Sequence, residues 1–186
     1  MSKNFLIVID MQNDFVTGAL GSEDAQAIVG NVVKTIEAFK GDDVIFTADT
    51  HIQDYEKDPE SRVVPVPHCI VDTPGWLLVP PVAHFVSNKT KIVRKSTFGI
   101  LDWRKVLLLR GYHWVNDLDG AAFTLCGLCT DICVVSNAVT LRTAFPDATI
   151  KVVSDACAGT SQEAHEAALK VMQSIGVKLI TVEDLV

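Results

Sequence analysis

The sequence predicts an α/β fold in which a mainly parallel central sheet carries helices on both faces. Apolar runs rich in β-branched residues alternate with longer stretches of helical periodicity, and this alternation builds parallel sheets rather than sandwiches or bundles. Several runs also end in an ionisable residue (Asp10, Asp49, Lys95), and ligands gather outside the carboxyl ends of such strands. The 186 residues, 48% hydrophobic and 21% charged, suit one ordinary globular domain spanning 1–186.

The elements follow in order. Residues 4–10 read as a buried strand ending in Asp10, and residues 23–40 as a helix with Ile28, Val32, Val33, Ile36 and Phe39 on one face, closed by Gly41. Asp43 to Ala48 form a second strand, ending at Asp49. Residues 50–82, where most of the prolines fall, show no clear period and read as one long ordered loop, a length that is usually functional. A strand is expected around Lys91–Arg94 and a helix near 101–110. A further strand covers 121–127, followed by a helix over 130–144 that Thr130 can cap. Strands over 148–153 and 177–181 flank a helix at about 161–175, which Gly176 terminates.

Charge and cysteine content narrow the classes of function. A formal net charge of −7 repels phosphate backbones and anionic lipid, which argues against nucleic-acid and membrane partners. No uncharged apolar stretch approaches the roughly 18 residues a membrane span needs, and Met1-Ser2-Lys3-Asn4 opens no leader pattern, so a cytoplasmic location is expected. Five cysteines are an odd and sparse set, read as free thiols in a reducing compartment.

Four groups of residues can carry chemistry. Cys133, in the first helical turn after a buried strand, sits where free N–H groups and the helix dipole favour a thiolate, although a small core residue is the plain alternative. Asp10 ends an otherwise apolar strand, where a carboxylate is costly without a partner, and is a candidate base; Asp14 can fill the ordinary turn role. Lys95 can place a cation beside both. Asp49, His51, Glu60 and His68 supply two carboxylates and two imidazoles around one loop, a set suited to zinc, iron or manganese, with Asp54, Glu56 and Asp58 competing as oxygen donors. Cys126 and Cys129 form a Cys-x-x-Cys, which leaves a thiol redox protein as a reading from another class, whereas Cys69 and Cys157 read as packing residues.

Taken together, Val8-Ile9-Asp10-Met11-Gln12-Asn13-Asp14-Phe15, Asp49-Thr50-His51, Pro67-His68-Cys69, Lys95-Ser96-Thr97-Phe98-Gly99 and Gly127-Leu128-Cys129-Thr130-Asp131-Ile132-Cys133-Val134 resemble the isochorismatase-like cysteine hydrolases, and within them the nicotinamidases. The resemblance implies a three-layer α/β/α Rossmann-like fold and a catalytic triad of Asp10, Lys95 and Cys133. It implies a cis peptide between Leu128 and Cys129, and an oxyanion hole formed by the amides of Cys129 and Cys133. It further implies a divalent metal, zinc with iron or manganese as alternatives, held by Asp49, His51 and His68. Lys57 stands where many members carry another histidine, and Glu60 stands where some carry a glutamate ligand. Phe15 and Leu128 would wall the substrate. Two positions depart from the pattern: Pro65 replaces an aromatic and Asp72 replaces a glycine, with Trp76 as a possible substitute ring or a core residue. The expected activity is hydrolysis of nicotinamide to nicotinate and ammonia through a thioester. Another small amide, a ureido compound or isochorismate is the alternative substrate within the family, and an inactive binding module is a further alternative. Homo-oligomers are common in the family.

Overall fold

The computed structural model describes residues 4–39, 44–87, 92–109, 111 and 120–185. A single six-stranded sheet runs through it in the order β3-β2-β1-β4-β5-β6, with every neighbouring pair parallel. The strands are β1 (Asn4–Ile9), β2 (Val44–Asp49), β3 (Ile92–Lys95), β4 (Ala122–Leu128), β5 (Thr149–Ala158) and β6 (Lys178–Ile180). β1, β2 and β4 are buried along almost their whole length, as expected for near-continuous apolar runs covered on both faces.

The helices are α1 (Asn13–Val16), α2 (Glu23–Ala27), α3 (Val29–Ala38), α4 (Pro80–Ala83), α5 (Trp103–Leu109), α6 (Val135–Ala144) and α7 (Gln162–Ser174). α3 packs with α2, α4 and a C-terminal 3-10 turn (Val182–Leu185), while α5, α6 and α7 are successive neighbours, so helices flank the sheet. Phe5, Phe123 and Phe145 stack in series across the core, with ring centroids 5.2 and 5.1 Å apart. The strand order reverses between β1 and β4. The chain therefore leaves a crevice at the carboxyl ends of those two strands, where such sheets bind ligands.

Several elements differ from the sequence reading. The helix over 23–40 is two helices, because the backbone at Ile28 turns to ψ −13° and α3 starts afresh. Val32, Thr35 and Ile36 are buried in α3, whereas Val33 and Phe39 are only half-buried; Thr35 satisfies its hydroxyl on the Asn31 carbonyl at 2.8 Å. Gly41, Lys91 and Arg110 lie outside the described residues. The 50–82 segment contains three 3-10 turns and α4 rather than plain loop. β5 runs on to Ala158, since Ser154 bonds the Ile180 carbonyl and Asp155 accepts from Val182 N, which serves polar residues within a strand. Thr130 does not cap the following helix. Cys129 holds the extended cap position, and Thr130 opens a π-helical turn (Thr130–Val134) with its hydroxyl 2.8 Å from His165 Nδ1.

At the switch point, Gly127 pairs with Ile9 at φ +118°, and a Cβ there would lie 2.1 Å from the Ile9 carbonyl oxygen. No backbone can yield that much without parting β1 from β4. Gly127→Ala is therefore expected to cost about 3 kcal/mol or more, read as a fall in the urea midpoint or as failure to accumulate folded protein. A variant with wild-type stability would show that the close approach does not constrain the fold.

Candidate active site at the carboxyl edge of the sheet

Asp10 leaves β1 at φ +46°, a left-handed position that aspartate tolerates better than most residues. Thr47 holds it from both ends: the hydroxyl accepts from Asp10 N at 3.1 Å and donates to Asp10 Oδ1 at 2.6 Å. Asp10 Oδ2 faces Lys95 Nζ at 2.7 Å. Lys95, at the end of β3, reaches across β2 to make this contact. It also lies 3.5 Å from Asp49 Oδ1 and 3.6 Å from Cys133 Sγ. Burial opposes a charge on Lys95, but Asp10, Cys133 and Asp49 outweigh it and hold the ammonium well above the usual lysine range. Asp14 does take a turn role, accepting from Cys69 N at 2.8 Å and from Ala19 N.

Cys133 sits in the π-helical turn and is 4% exposed. The helix-terminus argument favours a thiolate, and burial acts against it. Burial pushes the Cys133 thiol well above the ordinary range; Lys95 opposes this, and Asp10 and Asp49 add to it. Burial likewise pushes the Asp10 carboxyl up, against the pull of Lys95. The Leu128–Cys129 peptide is cis, and the Cys129 carbonyl accepts from both Ile132 and Val134, which closes the turn carrying Cys133.

Asp49, His51, Glu60 and His68 are all buried, and one ligand atom from each lies within 4.8 Å of the others. His51 Nδ1 is 2.9 Å from Asp58 Oδ2, and His68 Nδ1 is 2.8 Å from the Val66 carbonyl. Both rings thus spend Nδ1–H on acceptors and turn Nε2 inward, to within 3.1–3.7 Å of Asp49 Oδ2 and Glu60 Oε1. Burial works against protonating His68, yet the bonds to Asp49 and Glu60 raise it to about 9; His51 is raised too, by Asp49 and Asp58 against its burial. Asp49 is held well below the carboxylate range, its burial outweighed by His51, His68 and Lys95. Two carboxylates therefore call for positive charge between two inward nitrogens. A divalent cation fits that donor set. Asp54 and Glu56 stay outside it: Asp54 is exposed and pairs with Lys57 at 2.7 Å, and Glu56 is exposed.

One cavity of about 360 Å3 joins these groups, with Cys133, Cys129, Asp49, Glu60 and His68 at its polar end. Phe15 and Leu128 line it, as do Phe98 and Ile132, which the sequence reading left without a role. Pro65 is exposed while its neighbour Val64 reaches the wall, and Asp72 stands at φ +65°, a left-handed position that favours glycine. Trp76 is not among the cavity-lining residues and packs against the edge of the core. It is half-buried, donates from Nε1 to Thr50 Oγ1 at 2.8 Å, and carries the Arg94 guanidinium over its ring at 4.6 Å. All five cysteines are free, and Cys126 is wholly buried within β4 rather than at a helix start, a poor position for thiol exchange.

Two further residues were not legible as site residues. Gln12, wholly buried, clamps both sides of the Asp49 backbone, accepting from Asp49 N at 2.7 Å and donating to its carbonyl at 2.9 Å. Asn137, also wholly buried, donates to the Cys133 and Phe98 carbonyls at 2.8 and 3.2 Å and accepts from Ile100 N at 3.0 Å. The only sequence signal for such roles is a polar residue among apolar neighbours.

A model of the isochorismatase domain family matches residues 4–184. The nicotinamidase of Schizosaccharomyces pombe is 26% identical to this chain over 96% of it and 93% of its own length. The crystal structure of nicotinamidase/pyrazinamidase PncA from Bacillus subtilis superposes with a TM-score of 0.80 at 32% identity, covering 95% of this chain and 98% of that one. A pyrazinamidase of Pyrococcus horikoshii, solved in complex with zinc, superposes with a TM-score of 0.75 at 26% identity, covering 96% and 99%. Among the described residues, no helix is long and apolar enough to cross a membrane.

Asn137→Ala strands the buried Ile100 N–H and frees the Cys133 turn from the Phe98 segment. It is expected to lower stability by about 2–4 kcal/mol in urea titrations. A change below about 0.5 kcal/mol, the ordinary surface range, would deny the residue that role.

Proposed function

Because the chain belongs to the isochorismatase family of hydrolases, we propose that it is a metal-assisted cysteine amidohydrolase converting nicotinamide to nicotinate and ammonia. The observation that carries this reading is the shared cavity: the thiol of Cys133 and the metal-binding face of Asp49, Glu60 and His68 open onto the same space. A heteroaromatic amide can then meet both ends at once. Among the described lining residues there is no arginine or lysine to receive a substrate carboxylate, which favours a neutral amide over isochorismate. Phe15, Phe98, Leu128 and Ile132 offer the apolar walls a planar ring requires.

In this mechanism Asp10 Oδ2 takes the proton of Cys133, whose sulfur attacks the amide carbon. The Lys95 ammonium, fixed between Asp10 and Cys133, offsets the charge that forms on sulfur. The amides of Cys129 and Cys133 receive the oxyanion of the tetrahedral adduct. Asp10 returns its proton to the departing nitrogen as the carbon–nitrogen bond breaks, and ammonia leaves a thioester on Cys133. Asp10 then deprotonates a water molecule, which attacks the thioester carbon; the carbon–sulfur bond breaks and the sulfur recovers its proton. Asp49, His51, Glu60 and His68 would hold the metal, which when bound supplies a Lewis acid for the ring nitrogen of the substrate.

The test is ammonia release from nicotinamide by protein supplied with zinc, iron or manganese. Cys133→Ala is expected to lower kcat/KM by about 10³-fold or more, and turnover surviving in that variant would remove Cys133 as nucleophile. The metal assignment is checked separately, by metal content: Asp49→Ala and chelator treatment should both deplete the purified protein, and content unaffected by Asp49→Ala would deny the ligand set.

A further inference from the structure

We propose that Asp58, which is not one of the four metal-facing residues, is the positioning residue that sets the geometry of the metal site. The proposal rests on the metal-assisted reading above. In the sequence Asp58 competes with Glu60 as an oxygen donor, but the fold gives the two carboxylates different work. Glu60 Oε1 faces His51 Nε2 and His68 Nε2 at 3.7 and 3.6 Å, whereas Asp58 lies behind the His51 ring.

Both oxygens of Asp58 are engaged, and each bond acts on a different ligand. Oδ2 lies 2.9 Å from His51 Nδ1, and because an ionised carboxylate only accepts, Nδ1–H donates to it; Nε2 is then the nitrogen left to face Asp49 and Glu60, the one that would give its lone pair to a metal. Oδ1 accepts from Glu60 N at 3.0 Å and caps the 3-10 turn Pro59–Arg62 that carries Glu60 inward. One side chain therefore orients a nitrogen ligand and an oxygen ligand that lie nine residues apart.

The rest of the loop supports that placement. Asp58 N bonds the Tyr55 carbonyl at 2.9 Å, and the Asp58 carbonyl receives Ser61 N and Ser61 Oγ. Tyr55 sets its ring edge against His51 and His68, with centroids 5.1 and 5.3 Å away, and anchors its hydroxyl on the Val64 carbonyl at 2.7 Å. Asp58 is thus buried and held from its backbone outward, while neighbouring Asp54 is exposed and bonded to Lys57. Such outer carboxylates commonly govern metal affinity by 10–100-fold.

The test measures zinc affinity by competition with a chromophoric chelator, with thermal melting of the metal-free protein as the check on folding. Asp58→Ala is expected to weaken zinc binding roughly 10–100-fold. Asp58→Asn, whose single amide oxygen can serve only one of the two donors, should fall between wild type and Asp58→Ala. Asp54→Ala should bind as wild type does. Cobalt(II)-loaded Asp58→Asn should show a shifted visible band, which a change in stability alone would not produce. Wild-type zinc affinity in both Asp58 variants overturns the proposal, as does an equal loss in Asp54→Ala. Wild-type protein that binds no zinc overturns the metal reading itself, and the proposal with it.

Discussion

The buried ammonium of Lys95 is the interaction on which the arrangement of this site depends. A cation taken out of water carries a desolvation cost of several kcal/mol unless close counter-charges repay it. Here Asp10 does so at 2.7 Å and Asp49 at 3.5 Å. These three residues end three different strands, so the ion pairs require β1, β2 and β3 to finish at one level. The register of β2 with β3 pairs Asp49 with Lys95 directly. Cys133 then enters from the far side of the switch point, on the turn after β4.

The same pairs connect the two halves of the site. Asp49 presents one oxygen to Lys95 and the other to His51 and His68, so it belongs to the surroundings of the proposed triad and of the proposed metal site together. Its position cannot drift without disturbing both. Gln12 and Thr47 are the polar partners that prevent drift, one bracketing the Asp49 backbone and the other gripping Asp10. The left-handed backbone positions gather here as well. Asp10 leads off β1, and Cys69 follows His68 with its amide tied to Asp14. Backbone outside the common regions tends to collect at sites where function fixes the geometry.

The cavity explains how the departures at 65 and 72 are accommodated. Pro65 is absent from the cavity lining, but Phe98, from the segment after β3, and Phe15 both contribute aromatic walls. Asn137 ties that segment to the Cys133 turn, so the wall and the proposed nucleophile share one support. Asp72 accepts the left-handed backbone that a glycine would otherwise serve.

Read alone, the sequence determined the strands, because continuous β-branched runs bounded by ionisable residues have few other uses, and with them the parallel α/β fold. It also determined which residue types could meet: Asp10, Asp49, Lys95 and Cys133 all follow predicted strands, and parallel strands end on one side. The tertiary structure alone decided how they meet. Glu60 faces the histidines and Asp58 stands behind one of them, a distinction set by the 3-10 turn over 59–62 and invisible in a run of four acidic residues between 54 and 60. Phe98, Gln12 and Asn137 became site residues through contacts made 37 or more residues away along the chain or by a cavity wall. The Cys133 thiol, favoured as a thiolate by its local turn, is pushed the other way by its burial. Local pattern reports propensity and polarity, whereas distance, burial and hydrogen-bond direction exist only once distant segments have packed.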